Sequence, residues 1–275
     1  MCGRHWKRRM SRGFYRLFAG SDFHCGHFAG LTHPRWHYAL DGARGIIGEL
    51  QRETWDWFAG EIAKLRPFDG AALVGDLLDG DGAASGGTEL ITTDRNEQVE
   101  MACKVVEAIG AKHNRFVYGT AYHTGKHEDF ENQIAQRFGA EISDQAWIEK
   151  HGVVFHLKHH VGGTSIPHGK GTALMKDMLW NQLWAEMEAQ PKANIFLRGH
   201  THRYIGIDDI GPNGSPRMGF CLPALQSAQT KFGGRRCSGI VHFGFIHFDI
   251  YPDGSVAWVR HILNVRAAVP QVENL

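Results

Sequence analysis

Aspartate and histidine recur in this chain just after short apolar runs, and these residue types can hold divalent cations and activate water. Five such clusters occur: Ser21-Asp22-Phe23-His24, Gly75-Asp76-Leu77-Leu78-Asp79, Gly119-Thr120-Ala121-Tyr122-His123, His159-His160 and Gly199-His200-Thr201-His202. Carboxylate and imidazole ligands without thiolate suit Mn, Fe, Zn or similar ions and leave positions open for water and a substrate oxygen. A carboxylate shared by two cations holds them about 3.5 to 4 Å apart, close enough to clamp both ends of an in-line displacement. A water shared by the pair becomes the nucleophile, and a nearby imidazole serves the leaving oxygen as general acid or charge stabiliser. No nucleophilic Ser or Cys motif accompanies the clusters, and Cys25 is given no chemical role.

Taken singly, each cluster has a plainer reading. Asp76 and Asp79 could be turn or cap residues, and His159-His160 an ordinary polar strand end. Gly199-His200-Thr201-His202 says more, because two imidazoles two residues apart can aim at neighbouring ions while the glycine removes a side chain from their path. The conjunction decides in favour of one shared site.

The elements that must position these residues follow from periodicity. The preceding runs, 15–19, 71–74, 115–118, 153–157 and 194–197, are short and apolar enough to be buried strands. A buried parallel sheet places ligands beyond the carboxyl ends of its strands, so clusters up to 180 residues apart are expected to converge on one edge of one sheet. Segments of helical period lie between them at 45–65, 94–112, 128–138 and 172–189. In the first, Ile46, Ile47, Leu50, Trp57, Phe58, Ile62 and Leu65 form the apolar face. Alternation of strand and helix indicates an α/β fold. Residues 217–221, 239–250 and 255–262 look extended, with a turn at Pro252-Asp253-Gly254, and are expected to add antiparallel strands to a second sheet. Long loops at 25–43, 80–93 and 208–216 are placed to carry substrate contacts, with plain insertion the alternative for 80–87.

At 275 residues, 43% hydrophobic and 21% charged, the composition is that of an ordinary globular protein. One domain is expected over 13–265, with a basic arm at 1–12 and a tail at 266–275. A formal charge of +1 excludes a global field attracting nucleic acid or anionic membrane. The basic arm, with Trp6 inside it, could supply local phosphate contacts, although a solvated arm is the preferred reading. Five cysteines without C-x-x-C spacing argue against a disulfide framework or a thiolate zinc site and point to reducing cytoplasm. No apolar stretch suggests a membrane span or a signal peptide. Histidine is abundant, 18 in all, and His5, His37, His242 and His261 are assigned ordinary surface or core roles.

In order and spacing the clusters resemble the calcineurin-like metallophosphoesterase superfamily, whose pattern is D-x-H, G-D-x-x-D, G-N-H-[DE], H and G-H-x-H. Four of the five motifs match, across residues 22 to 202. The resemblance, closer to bacterial and phage members than to regulatory protein phosphatases, implies a two-sheet β-sandwich flanked by helices and a site for two divalent cations, manganese among the candidates. It implies that Asp22, His24 and His202 hold the first ion, that Asp76 bridges, and that His200 with His159 or His160, His159 preferred, holds the second. The third motif departs from the pattern. Thr120 stands where the family has a ligating Asn, and the histidine that normally follows at once appears three positions later as His123. Thr120 then offers a neutral hydroxyl or positions a water, and His123, oriented by Asp79, is the candidate catalytic group. The implied activity is hydrolysis of a phosphate ester, diester favoured. A nuclease of the same fold and a non-catalytic metal- or nucleotide-binding module are the alternatives. The oligomeric state is left open.

Overall fold

A computed structural model describes residues 12–83, 85–124, 129–163, 166–211, 214–227 and 241–265. The expected arm, apart from its last residue, and the expected tail lie outside these residues. Two mixed sheets pack face to face between helices, the α/β sandwich that the resemblance implied.

The first sheet contains β1 (Tyr15–Gly20), β2 (Gly70–Val74), β3 (His113–Val117) and, at its edge, β4 (Glu141–Ser143), all parallel. The antiparallel hairpin of β10 (Phe243–Ile250) and β11 (Val256–Leu263) extends it on the β1 side. The second sheet runs in the order β5 (Gln145–Lys150), β6 (Val153–Lys158), β7 (Ile195–Arg198), β9 (Pro216–Cys221), β8 (Ile205–Ile210). Its three central strands are parallel and its two edges antiparallel. Side-chain alternation explains the layers. Leu17 and Ala19 of β1 face the second sheet, in a core with Val74, Phe155, Leu197 and Phe248, while Phe18 points outward against Phe58 and Phe68.

Three helices cover the outer face of the first sheet: α1 (Gly45–Leu65), α2 (Arg95–Ile109) and α4 (Phe130–Arg137). The last two begin at Asp94 and Asp129, whose carboxylates accept the backbone N–H of Asn96 and Asn132. On α1 the buried side belongs to Leu50, Trp55, Phe58 and Ile62, and Ile46, expected on that face, is exposed. A short turn, α3 (Ala121–Thr124), carries His123. The outer face of the second sheet is covered by the long helix α5 (Thr172–Glu186), through Leu174 and Met178.

Three sequence expectations need correction. The clusters do not share one sheet: those after β1, β2 and β3 belong to the first and those after β6 and β7 to the second. Nor do the three late extended segments form one addition. The segment at 217–221 is the interior strand β9, parallel to β7, whereas the hairpin joins the first sheet beside β1. The reason is visible in β10, where Phe243 and Phe245 pack outward with the helices while Ile246 and Phe248 pack inward, so both faces demand cover. Finally, the loop assigned to 208–216 begins inside β8, an exposed edge strand whose Asp208 and Asp209 read as loop residues but serve as edge charges.

Candidate metal centre

The polypeptide leaves β1 and β2 side by side and stays paired beyond the sheet. Asp22 N–H donates to Gly75 O at 3.0 Å, His24 N–H to Asp76 O at 3.0 Å and Cys25 N–H to Leu77 O at 2.9 Å. Phe23, Leu77 and Leu78, all buried, anchor both loops, so Asp22, His24 and Asp76 are left on the opposite side. The backbone there is unusual. Among the described residues seven non-glycine positions have positive φ, and five of them are Asp22, His24, Asp76, His200 and His202, at 46° to 71°. Such conformations cost free energy and persist only where surrounding structure enforces them, which is characteristic of functional sites.

Three imidazoles are tied by Nδ1, and in His24 and His159 this turns Nε2 to the centre. His24 Nδ1 lies 3.0 Å from Asp79 Oδ1, His123 Nδ1 is 2.7 Å from the Asp79 carbonyl and His159 Nδ1 is 2.7 Å from the Val74 carbonyl. This orienting bond to the outer ring nitrogen is the usual support of a metal-ligating histidine. The Asp79 carboxylate thus holds His24 chiefly, and its main chain holds His123, whose ring nitrogen stands 3.5 Å from the carboxylate.

The ligand atoms fall into overlapping groups. His24 Nε2 is 3.1 Å from His202 Nε2, which is 3.2 Å from Asp22 Oδ1. His159 Nε2 is 3.0 Å from Asp76 Oδ2 and, among the described residues, has no partner of full hydrogen-bonding geometry although it is buried. Asp22, His24 and His202 each bring one ligand atom within 4.8 Å of the others, as do Asp76, His159 and His200, and as do His24, Asp79 and His123. Two ring nitrogens facing each other at 3.1 Å repel unless a proton or a cation lies between them. An orphaned imidazole nitrogen facing a carboxylate has the same requirement. The donor set therefore fits divalent cations, with six side chains able to hold them: Asp22, His24 and His202 on one side, Asp76, His159 and His200 on the other. His160 is exposed, its ring centroid 4.9 Å from that of His200, and it does not join the second group.

Thr120 acts on Asp76. Its N–H donates to Asp76 Oδ1 at 2.7 Å, and its hydroxyl stands 3.3 and 3.4 Å from the two carboxylate oxygens. Asp22 is held similarly by the second sheet, its oxygens accepting the His200 N–H at 3.0 and 3.1 Å. Two supports had no signal in the sequence. Glu131 of α4, fully buried, accepts Leu77 N–H and Gly119 N–H at 2.8 Å each and so fixes the loops after β2 and β3. Burial and the neighbouring Asp76 push its carboxyl up to about 7. Gln98 of α2 exchanges two hydrogen bonds with the main chain of Gly80 and steadies Asp79 from behind.

Burial would raise Asp22 and Asp76, but His202 and His159 hold the first, and His159 the second, well below the usual carboxylate range. In return His159 rises to about 10: burial opposes its charge, and Asp76 and then Asp22 outweigh burial. A histidine value raised in the folded state stabilises fully below about 6.5 and loses that contribution as pH climbs to about 10. The stripped protein is therefore expected to lose thermal stability across that interval, and loading with ions to release protons. Calorimetric titration with metal in two buffers of different ionisation enthalpy measures the release, and identical heats would contradict it.

Glycines make room for the cluster. A Cβ at Gly119 would overlap Asp76 Oδ1, and one at Gly199 would overlap Ser21 Oγ and stand 2.8 Å from His159 Nδ1 and 2.9 Å from Asp22 Oδ2. Gly199→Ala is expected to cost about 1 to 3 kcal/mol, as overpacking does, and to reduce bound metal because the displaced atoms position the ligands. Denaturant unfolding with metal analysis tests this, and wild-type values in both would refute it.

No family model matches the chain, and no curated protein does. Among solved structures, wild-type Vps29 of Entamoeba histolytica complexed with zinc is 14% identical, with 90% of this chain and 98% of that chain covered at a TM-score of 0.37. An archaeal phosphodiesterase is 12% identical, covering 90% and 99% at 0.43, and a metallophosphoesterase from Sphaerobacter thermophilus is 11% identical, covering 92% and 89% at 0.41. At such scores the functional reading rests on the chain's own side chains. Among the described residues no helix is long and apolar enough to cross a membrane, and Cys25, Cys103 and Cys221 are free and buried.

Proposed function

We propose that the chain is a phosphoesterase that depends on two divalent cations and hydrolyses phosphate diesters. The observation that carries this reading is the convergence of His24, His159 and His202 by their Nε2 atoms on Asp22 and Asp76, with the buried His159 nitrogen 3.0 Å from Asp76 Oδ2. Bound cations would offset phosphoryl charge and activate water. The protein's part is to hold Asp76 between the two groups, with Thr120 fixing its Oδ1. His123, half-buried beside His24, carries its Nδ1 proton to the Asp79 carbonyl. That leaves Nε2 of the imidazolium to protonate a departing alkoxide. Asp22 and Asp76 are buried while His200 and His160 are exposed, so substrate would enter from the His200 side.

The test is metal analysis of protein purified without chelator, followed by assays of monoester, diester, cyclic nucleotide and DNA substrates with Mn, Fe and Zn. Two equivalents of metal with diester turnover support the proposal. Bound metal without turnover on any of these would make the chain a binding module, and DNA cleavage exceeding that of small diesters would make it a nuclease.

A further inference from the structure

The outward face of α5 is as apolar as its inward face. Leu174, Met178 and Asn181 are buried against the second sheet. On the solvent side Met175, Leu179, Trp180, Leu183, Trp184 and Met187 are 57%, 52%, 43%, 45%, 46% and 73% exposed. The Trp180 and Trp184 rings lie side by side, their centroids 5.5 Å apart. A surface helix ordinarily buries one stripe and turns polar residues to water. This face presents on the order of 600 Å² of apolar area, at the upper limit for the largest patch of a monomer and close to the ~800 Å² each partner contributes to a stable interface.

We infer that this face binds a second copy of the chain, with the two α5 helices antiparallel across a twofold axis near Trp180 and Leu183. The charges at the helix ends select this occupant. Lys176 lies at the N-terminal end of the stripe, Glu186 and Glu188 at the C-terminal end, and all three are exposed. Antiparallel pairing brings Lys176 of each copy to the acidic end of the other, giving an apolar centre with a charged rim. The loose 3.8 Å pair between Glu186 and Lys192 is exposed on both sides and does not compete strongly. An anionic lipid surface would meet Glu186 and Glu188 unfavourably.

Sedimentation equilibrium of the full chain over a dilution series tests the inference. The wild type is expected to be a dimer at micromolar concentration. Trp180→Glu should weaken association by about 30-fold or more, as loss of a central tryptophan does, with circular dichroism unchanged. Lys176→Glu should also weaken it, and adding Glu186→Lys and Glu188→Lys should restore it, which decides the matter even if Trp180→Glu folds poorly. A monomeric wild type, with or without flotation on anionic vesicles, would overturn the inference. So would a dimer indifferent to Trp180→Glu, or a charge-reversed triple variant no tighter than Lys176→Glu alone.

Discussion

Asp76→Asn is expected to lower phosphoester turnover by about a hundredfold to a thousandfold, a loss of the size seen when one electrostatic element of a catalytic site is removed. Asp76 is buried, one oxygen takes the Thr120 N–H at 2.7 Å, and the other faces His159 Nε2 at 3.0 Å. Asparagine removes the charge and must turn an NH₂ group toward one of these neighbours. If it faces Thr120, two donors meet. If it faces His159, the orphaned ring nitrogen gains a proton donor where the proposal needs a cation. Metal content should fall to one ion or none, while circular dichroism shows the fold retained. Two bound ions with normal turnover in this variant would end the two-metal reading.

The second large effect belongs to His123. If its Nε2 protonates the leaving oxygen, His123→Ala should slow esters with poor leaving groups by about 10² to 10⁴, the range of general acid catalysis, and activated aryl esters far less. Metal content should stay unchanged. His24, Asp79 and His123 also bring ligand atoms within 4.8 Å of one another, so an alternative outcome has a structural basis. Loss of an ion would make His123 a ligand, and equal slowing of both ester types would leave it a structural role.

Much of this architecture is legible in the sequence because buried parallel strands announce themselves. The run at 71–74 carries no polar residue and is β2, and the helical period at 45–65 is α1 from end to end. The clusters that follow such strands are also legible, since Asp and His after an apolar run have few structural reasons to recur together. Other features depend on distant partners. Which sheet a strand joins is decided by what covers its faces, so β10 could not be assigned from its own alternation. β5 and β8 are edge strands, and their Glu149, Lys150, Asp208 and Asp209 resemble loop composition. The positive φ values at the five Asp and His positions are imposed by flanking anchors such as Phe23 and Leu77 rather than by local preference, which disfavours them. Glu131 illustrates the same limit: on its helix it reads as an ordinary first-turn acid, and only the loops above it reveal two backbone donors awaiting an acceptor.

The division of the candidate ligands between the sheets has a consequence for folding kinetics. Asp22 and His24 follow β1 in the first sheet, and His202 follows β7 in the second. An ion gripped by all three acts as a cross-link closing a loop of 180 residues, the long-loop case in which a metal clip restricts the unfolded chain most. Neither sheet alone offers that grip, so an ion held there would be captured only after the sandwich has closed and would have to be released before the two sheets could part. Rapid dilution into chelator should then separate a slow, metal-gated opening of the sandwich from the faster unfolding of a stripped chain.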